Sequence, residues 1–262
     1  MIAPPGNRPP TGLALSVIKA RAEAAGVDAG FLQALARVES SLQPDLRART
    51  STATGLFQFI EATWLDLLHR HGAKHGLEPE GLAGIDPGRR GSAKYRFTSA
   101  ELRQQALDLR FDPSASAAMA AEYVRENGSM LSGLLARAPR ATDLYLAHFL
   151  GPADARRFLR ELEHSPGTKA SALFPAAAAA NQGVFFARDG APRSIEAIYE
   201  YFSARFPERQ ASAAEPPPAP APADVLDAAP SSPQTRAPVA NWRAVVTTLL
   251  TLRLDWPKDP DD

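Results

Sequence analysis

The sequence predicts an all-α fold, and three observations carry that prediction. Apolar residues recur mainly at helical spacing from Leu13 to Phe206. No convincing strand-like alternation runs longer than four residues in that span. Asp28, Ser114 and Thr142 stand where helical patterns begin, as N-cap residues do. The expected helices cover 13–25, 28–41, 61–71, 99–107, 114–127, 129–136, 142–149, 153–162, 169–179 and 194–206. Between His71 and Leu107 six glycines and two prolines break any helix beyond a turn or two, which predicts a long loop or flap. Tyr95 and Phe97 give that segment apolar anchors for docking on the domain.

Composition bounds the rest. The 262 residues carry 29 Lys+Arg against 29 Asp+Glu, a balance that argues against an electrostatic grip on nucleic acid or anionic lipid. At 45% hydrophobic the chain can bury a core. Its 24 prolines, set against a usual frequency of about 5%, indicate that part of it does not pack. The absence of cysteine removes disulfides, Cys-ligated zinc, iron–sulfur clusters and thiol nucleophiles from consideration. No run approaches the roughly 20 apolar residues of a membrane span, and no Sec-type signal is visible among the first residues, where prolines stand in place of an apolar stretch.

The expected organisation is a flexible N-terminus (1–12), a main helical domain (13–165), a helical extension (166–206), a Pro-rich linker (207–240) and a C-terminal segment (241–262). That last segment, short and apolar, reads either as a tethered partner-binding peptide or as a terminus that docks back on the domain.

Chemistry begins at Glu39. On a helical wheel from Asp28, at about 100° per residue, Phe31, Leu32, Leu35, Val38 and Leu42 form one apolar arc, and Glu39 falls inside it. A carboxyl in apolar surroundings loses hydration, so its charged form is disfavoured and it can hold the proton a general acid must donate. The alternative is that Glu39 sits at the edge of the arc and reaches solvent. After Glu39-Ser40 come Pro44, Ala48, the turn Thr50-Ser51-Thr52-Ala53-Thr54-Gly55, then Gly55-Leu56-Phe57-Gln58-Phe59 and Thr63-Trp64.

This order resembles the lytic transglycosylase domain of SLT type in the goose-type lysozyme superfamily, known from bacteria and phages. That domain's marks are a Glu-Ser pair, a Ser/Gly-rich turn, a Gly-Leu-x-Gln motif and a following Thr. Leu109-Arg-Phe-Asp-Pro113, Met119-Ala-Ala-Glu-Tyr123 and Asp143-Leu-Tyr-Leu-Ala-His-Phe-Leu-Gly151 follow in the order of its later helices, so the resemblance runs to about Leu162. It implies a lysozyme-like helical fold with Glu39 as the catalytic residue, and substrate contacts from Ser40, Ser51 (or Thr50), Gln58, Tyr145 and His148.

One frame departs from the pattern. Where the family usually has Ala-Tyr-Asn-x-Gly, this chain has Ala147-His148-Phe149-Leu150-Gly151. Either His148 takes the place of the usual tyrosine, or Tyr145, one turn earlier, supplies the hydroxyl. Against these site readings stand plainer ones: Ser40 as a brace of its helix, Ser51 as a turn former, His148 as a core-edge histidine. Phe57, Phe59 and Trp64 read as core, and Glu61 and Asp66 as a solvated helix start and face.

Most glycosidases need two carboxyl groups, and no second candidate compares with Glu39. The resemblance resolves this, because a lytic transglycosylase uses the substrate's own hydroxyl on carbon six of N-acetylmuramic acid as nucleophile. It implies no cofactor and no metal; His69, His71 and His75 have no acidic ligand at helical spacing. It further implies peptidoglycan glycan strands as substrate, action in the periplasm or cell envelope, and a possible protein partner in an envelope-spanning secretion, flagellar or phage apparatus met through the Pro-rich tail. Two alternatives remain open: a lysozyme-type hydrolase, and an inactive wall-binding scaffold.

Overall fold

The computed structural model describes residues 11–49, 51–135 and 137–206. The Pro-rich linker, the C-terminal segment and Thr50 lie outside the described residues, as does nearly all of the expected flexible N-terminus. Eleven helices appear among the described residues, with one two-stranded hairpin, so the all-α expectation holds for the fold as a whole. No described helix is long and apolar enough to cross a membrane.

The long helix α5 (Pro113–Ser132) is the axis of the structure. It packs against α1 (Thr11–Ala25), α3 (Glu61–His71) and α6 (Ala141–Leu150). Its buried side is rich in alanine (Ala115, Ala117, Ala118, Ala120, Ala121), and α1 meets it with Ala14, Ile18 and Ala22. Small side chains on both surfaces let the two backbones approach closely. The helix is capped by Asp112, whose carboxylate accepts from Ala115 N–H, and Pro113 follows at the first turn; Ser114 is therefore inside the helix and not its cap. The expected break near Gly128 does not occur: the helix runs through it to Ser132, and a Cβ there would only touch the Leu144 side chain of α6, at 3.6 Å. Likewise α6 is preceded by Arg140 and not Thr142. Asp143, at its third position, accepts from Arg140 N–H and so satisfies that helix end from inside.

α2 (Ala29–Ser40) follows the sequence reading, with the Asp28 carboxylate accepting from Phe31 N–H. It stops abruptly. Ser41 and Leu42 both adopt left-handed backbone, at φ 53° and 62°, and return hydrogen bonds to Arg37 and Ala36 carbonyls. α3 carries Trp64, fully buried, whose indole N–H donates to Ala106 O at 2.8 Å.

The segment expected as a flap is ordered. β1 (Leu82–Ile85) pairs antiparallel with β2 (Tyr95–Phe97), with an irregularity between Leu82 and Gly84. The hairpin is tied to α3 by Asp66, which accepts from Lys94 Nζ at 2.7 Å and Tyr95 Oη at 2.6 Å. Asp66 is thus no solvated face, and Glu61 is paired with Arg103 at 2.8 Å. α4 (Ala100–Asp108) leads from the hairpin back to α5.

An ionic cluster joins α3 and the short turn after it to α5. Glu122 is fully buried and pairs with Lys74, His75 and Arg125, while His71 meets Glu126 at 2.7 Å. His71 and His75, which lacked acidic neighbours in sequence, find them on another helix, whereas His69 lies against the Tyr95 ring at 6.2 Å. Burial alone would raise the Glu122 pKa. Hydrogen bonds from Lys74, His75 and Arg125, with the charge of Arg125, outweigh it and bring the carboxyl down to about 2.

Past Gly151 come α7 (Pro152–His164), then α8 (Ala170–Leu173) and α9 (Pro175–Ala180), which Pro175 keeps from being the single helix expected at 169–179. α10 (Gln182–Phe185) and α11 (Ile195–Ser203) complete the described chain. This extension shares the main hydrophobic cluster: Phe185, Ile198, Phe202 and Phe206 pack with residues of α2, α5 and α6.

Candidate active site

The site forms where the end of α2, the loop after it and the buried face of α6 converge. Glu39 lies one helical turn after Leu35, on the buried side of α2, and is 3% exposed. Of its two carboxyl oxygens, Oε1 lies 2.9 Å from His148 Nε2, whereas Oε2 is buried with no hydrogen-bond partner among the described residues. A buried polar atom without a partner is costly and uncommon, and a functional role is one of its explanations; Ser116 Oγ and Asn181 Oδ1 are two further such atoms among the described residues. The other buried carboxylates contrast with it. Glu122 is held by the cluster above, and Asp143 by Arg137 and by Tyr199 Oη at 2.9 Å.

Ser40 and Gln58 organise the loop beside Glu39. Ser40 Oγ stands 2.9 Å from Leu56 O and 3.1 Å from Ala36 O, so one hydroxyl proton ties the loop to the helix. Gln58 is buried, with its backbone at φ 48°, and its Nε2 donates to Gly55 O at 3.0 Å and Leu46 O at 3.2 Å. Gly55 has φ 82°, and a Cβ there would stand 2.0 Å from Arg110 O, so the motif's glycine is required twice over. Arg110 pins the same loop from behind, donating to Thr52 O at 2.7 Å and to Phe59 O at 3.2 Å. Burial pulls its pKa down to about 10. Phe57 and Phe59 are buried in the core.

Ser51 is half-buried, and its Oγ accepts from Ala53 N–H at 3.3 Å in the turn that leads into this loop.

From α6, Tyr145 and His148 lie one turn apart on the same side. The His148 ring stacks on Tyr145 at 6.2 Å between centroids and meets the Tyr123 ring of α5 edge-on at 6.1 Å. Tyr145 is itself backed by Phe202 at 4.9 Å and Phe206 at 4.4 Å. Burial, and then the charge of Glu39, push the Tyr145 hydroxyl well above its usual pKa. Tyr123, pushed up to about 12 chiefly by burial, is likewise neutral at physiological pH.

Sequence reasoning placed Glu39, Tyr145 and His148 together, and the structure brings those three into one neighbourhood. It did not single out Tyr123, whose motif was noted but whose ring contact with His148 depends on how α5 and α6 pack. Phe202 and Phe206 were also missed as supports, since only their helical spacing was visible.

Residues 16–80 match the family model for the Transglycosylase SLT domain, a stretch that includes Glu39, the Gly55-to-Gln58 motif and Trp64 and ends before Tyr123, Tyr145 and His148. Residues 16–80 are therefore the part of the chain that the match identifies as SLT-type transglycosylase domain.

Proposed function

We propose that this protein is a peptidoglycan lytic transglycosylase in which Glu39 acts first as acid and then as base. The observation that carries the reading is the unpartnered, buried Oε2 of Glu39, on a helix inside the segment that matches the SLT family model. A proton held there has no acceptor among the described residues.

In the proposed reaction Glu39 donates its proton to the glycosidic oxygen linking N-acetylmuramic acid to the following N-acetylglucosamine. The bond from muramic carbon one to that oxygen breaks, and the sugar's own acetamido group supports the positive charge left at carbon one. The Glu39 carboxylate then removes the proton of the hydroxyl on carbon six, whose oxygen closes on carbon one. The ring ends as a 1,6-anhydro sugar with no water consumed and Glu39 reprotonated. A single carboxyl suffices because the nucleophile belongs to the substrate.

Ser51 and Tyr145 are the proposed sugar-facing residues, while Ser40 and Gln58 serve the substrate through the loop they hold. The site of action is the cell envelope, with glycan strands as the macromolecular substrate. The segment beyond Pro207 is the proposed attachment to an envelope-spanning apparatus.

Mass spectrometry of muropeptides released from purified peptidoglycan tests the reading. Wild type should yield anhydromuramoyl ends and Glu39→Gln should yield none, since the amide preserves shape without a transferable proton. Reducing ends from wild type would make the enzyme a lysozyme-type hydrolase. Equal release by both proteins would remove Glu39 from the chemistry, and no release by either would favour a wall-binding scaffold.

A further inference from the structure

The pairing of Glu39 with His148 carries an inference that rests on the proposed reaction and adds a residue to it. The two side chains come from helices separated by most of the domain, yet His148 Nε2 lies 2.9 Å from Glu39 Oε1, and both are largely withdrawn from solvent. The imidazole is not free to turn away. Tyr145 stacks on one face and Tyr123 closes its edge. Such a ring offers either a donor or an acceptor at Nε2, according to which nitrogen is protonated. If Nε2 accepted, the Glu39 proton would be held on Oε1, turned toward the protein. If Nε2 donates, Oε1 is occupied and the proton of the acid form must sit on Oε2, the oxygen with no partner.

We propose that His148 is a positioning residue for Glu39: its Nε2–H donates to Oε1, so that the transferable proton is carried on Oε2 and offered to the glycosidic oxygen. The same bond strengthens when Glu39 becomes a carboxylate, because a hydrogen bond to an ionised acceptor in a water-poor site is stronger than one to a neutral acid. His148 therefore stabilises the charge that forms on Glu39 as the glycosidic bond breaks, and eases as Glu39 is reprotonated. No net proton moves through the imidazole.

The test compares wild type, His148→Gln, His148→Phe and Glu39→Gln on purified peptidoglycan, measuring kcat and KM and verifying each fold by circular dichroism. His148→Phe should lower kcat roughly a hundredfold, the scale of a misplaced catalytic group, with little change in KM. His148→Gln keeps an N–H of similar reach and should recover much of kcat. If His148→Phe does not fold, the His148→Gln enzyme decides: a kcat as low as that of Glu39→Gln overturns the proposal. So does a loss confined to KM, which would make His148 a sugar contact only, or a folded His148→Phe enzyme with wild-type kcat. Failure of wild type to form anhydro ends would instead overturn the underlying reaction, and Glu39→Gln separates that outcome from this one.

Discussion

At the scale of single residues the site depends on backbone that side chains ordinarily avoid. Ser41, Leu42 and Gln58 are the described non-glycine residues with positive φ, and all three flank Glu39 or its loop. Each such residue costs on the order of 1 kcal/mol or more, sustained here because Ser40, Gln58 and Arg110 hold the loop's carbonyls. Gly55 is the most exacting position. Gly55→Ala should destabilise the domain by about 2–4 kcal/mol, combining the left-handed backbone with a collision against Arg110 O; urea denaturation followed by circular dichroism measures it. Glu39 itself was legible, since a wheel exposes a carboxylate among apolar neighbours. Its partner was not legible by that route, because His148 is 109 residues away and nothing local in either helix reports the other.

At the scale of elements, α3 and α5 are joined by charges as well as by apolar packing. Glu122 carries the centre of that join. With its folded pKa near 2 against an ordinary 4.5, the folded state holds this proton less readily than the unfolded chain. The stabilisation is therefore complete above 4.5 and is lost as pH falls toward 2. Glu122→Gln should lower stability by about 2–3 kcal/mol at neutral pH, and thermal melts should show wild type and variant converging as pH drops through that window.

The sequence could not show this cluster, because the acids of α5 and the cations of the α3 end meet only in three dimensions. The hairpin was hidden for another reason. A strand of four residues containing Gly84 and a strand of three are too short to display alternation, so glycine and proline content dominated the reading. The helices α1, α2, α3 and α7, by contrast, were placed to within a few residues because burial repeats along them, whereas α5 was wrongly divided at Gly128.

At the scale of the whole molecule, the residues past Gly151 do more than extend the fold. α11 and the residues after it back Tyr145, which in turn stacks on His148, so the support of the site runs to Phe206. A chain ending after residue 206 should cleave isolated peptidoglycan at the wild-type rate, since the described core closes there. A chain ending before α11 should lose activity and melt at lower temperature. Assay of both truncations with calorimetry distinguishes a site-supporting extension from a dispensable one.

Phe206 also packs against Phe31, with ring centroids 5.7 Å apart, joining the last described residue to the helix that bears Glu39. Contacts between such distant points of the chain are late events in folding, because closing a long loop must precede any gain from it. Phe206→Ala should therefore speed unfolding while leaving the refolding rate nearly unchanged, as stopped-flow measurements would reveal. During synthesis the pair has no counterpart until nearly the whole domain has been made. The helix that bears Glu39 consequently stays without its backing in every shorter nascent chain, and the candidate site gains its full support only when the domain is complete.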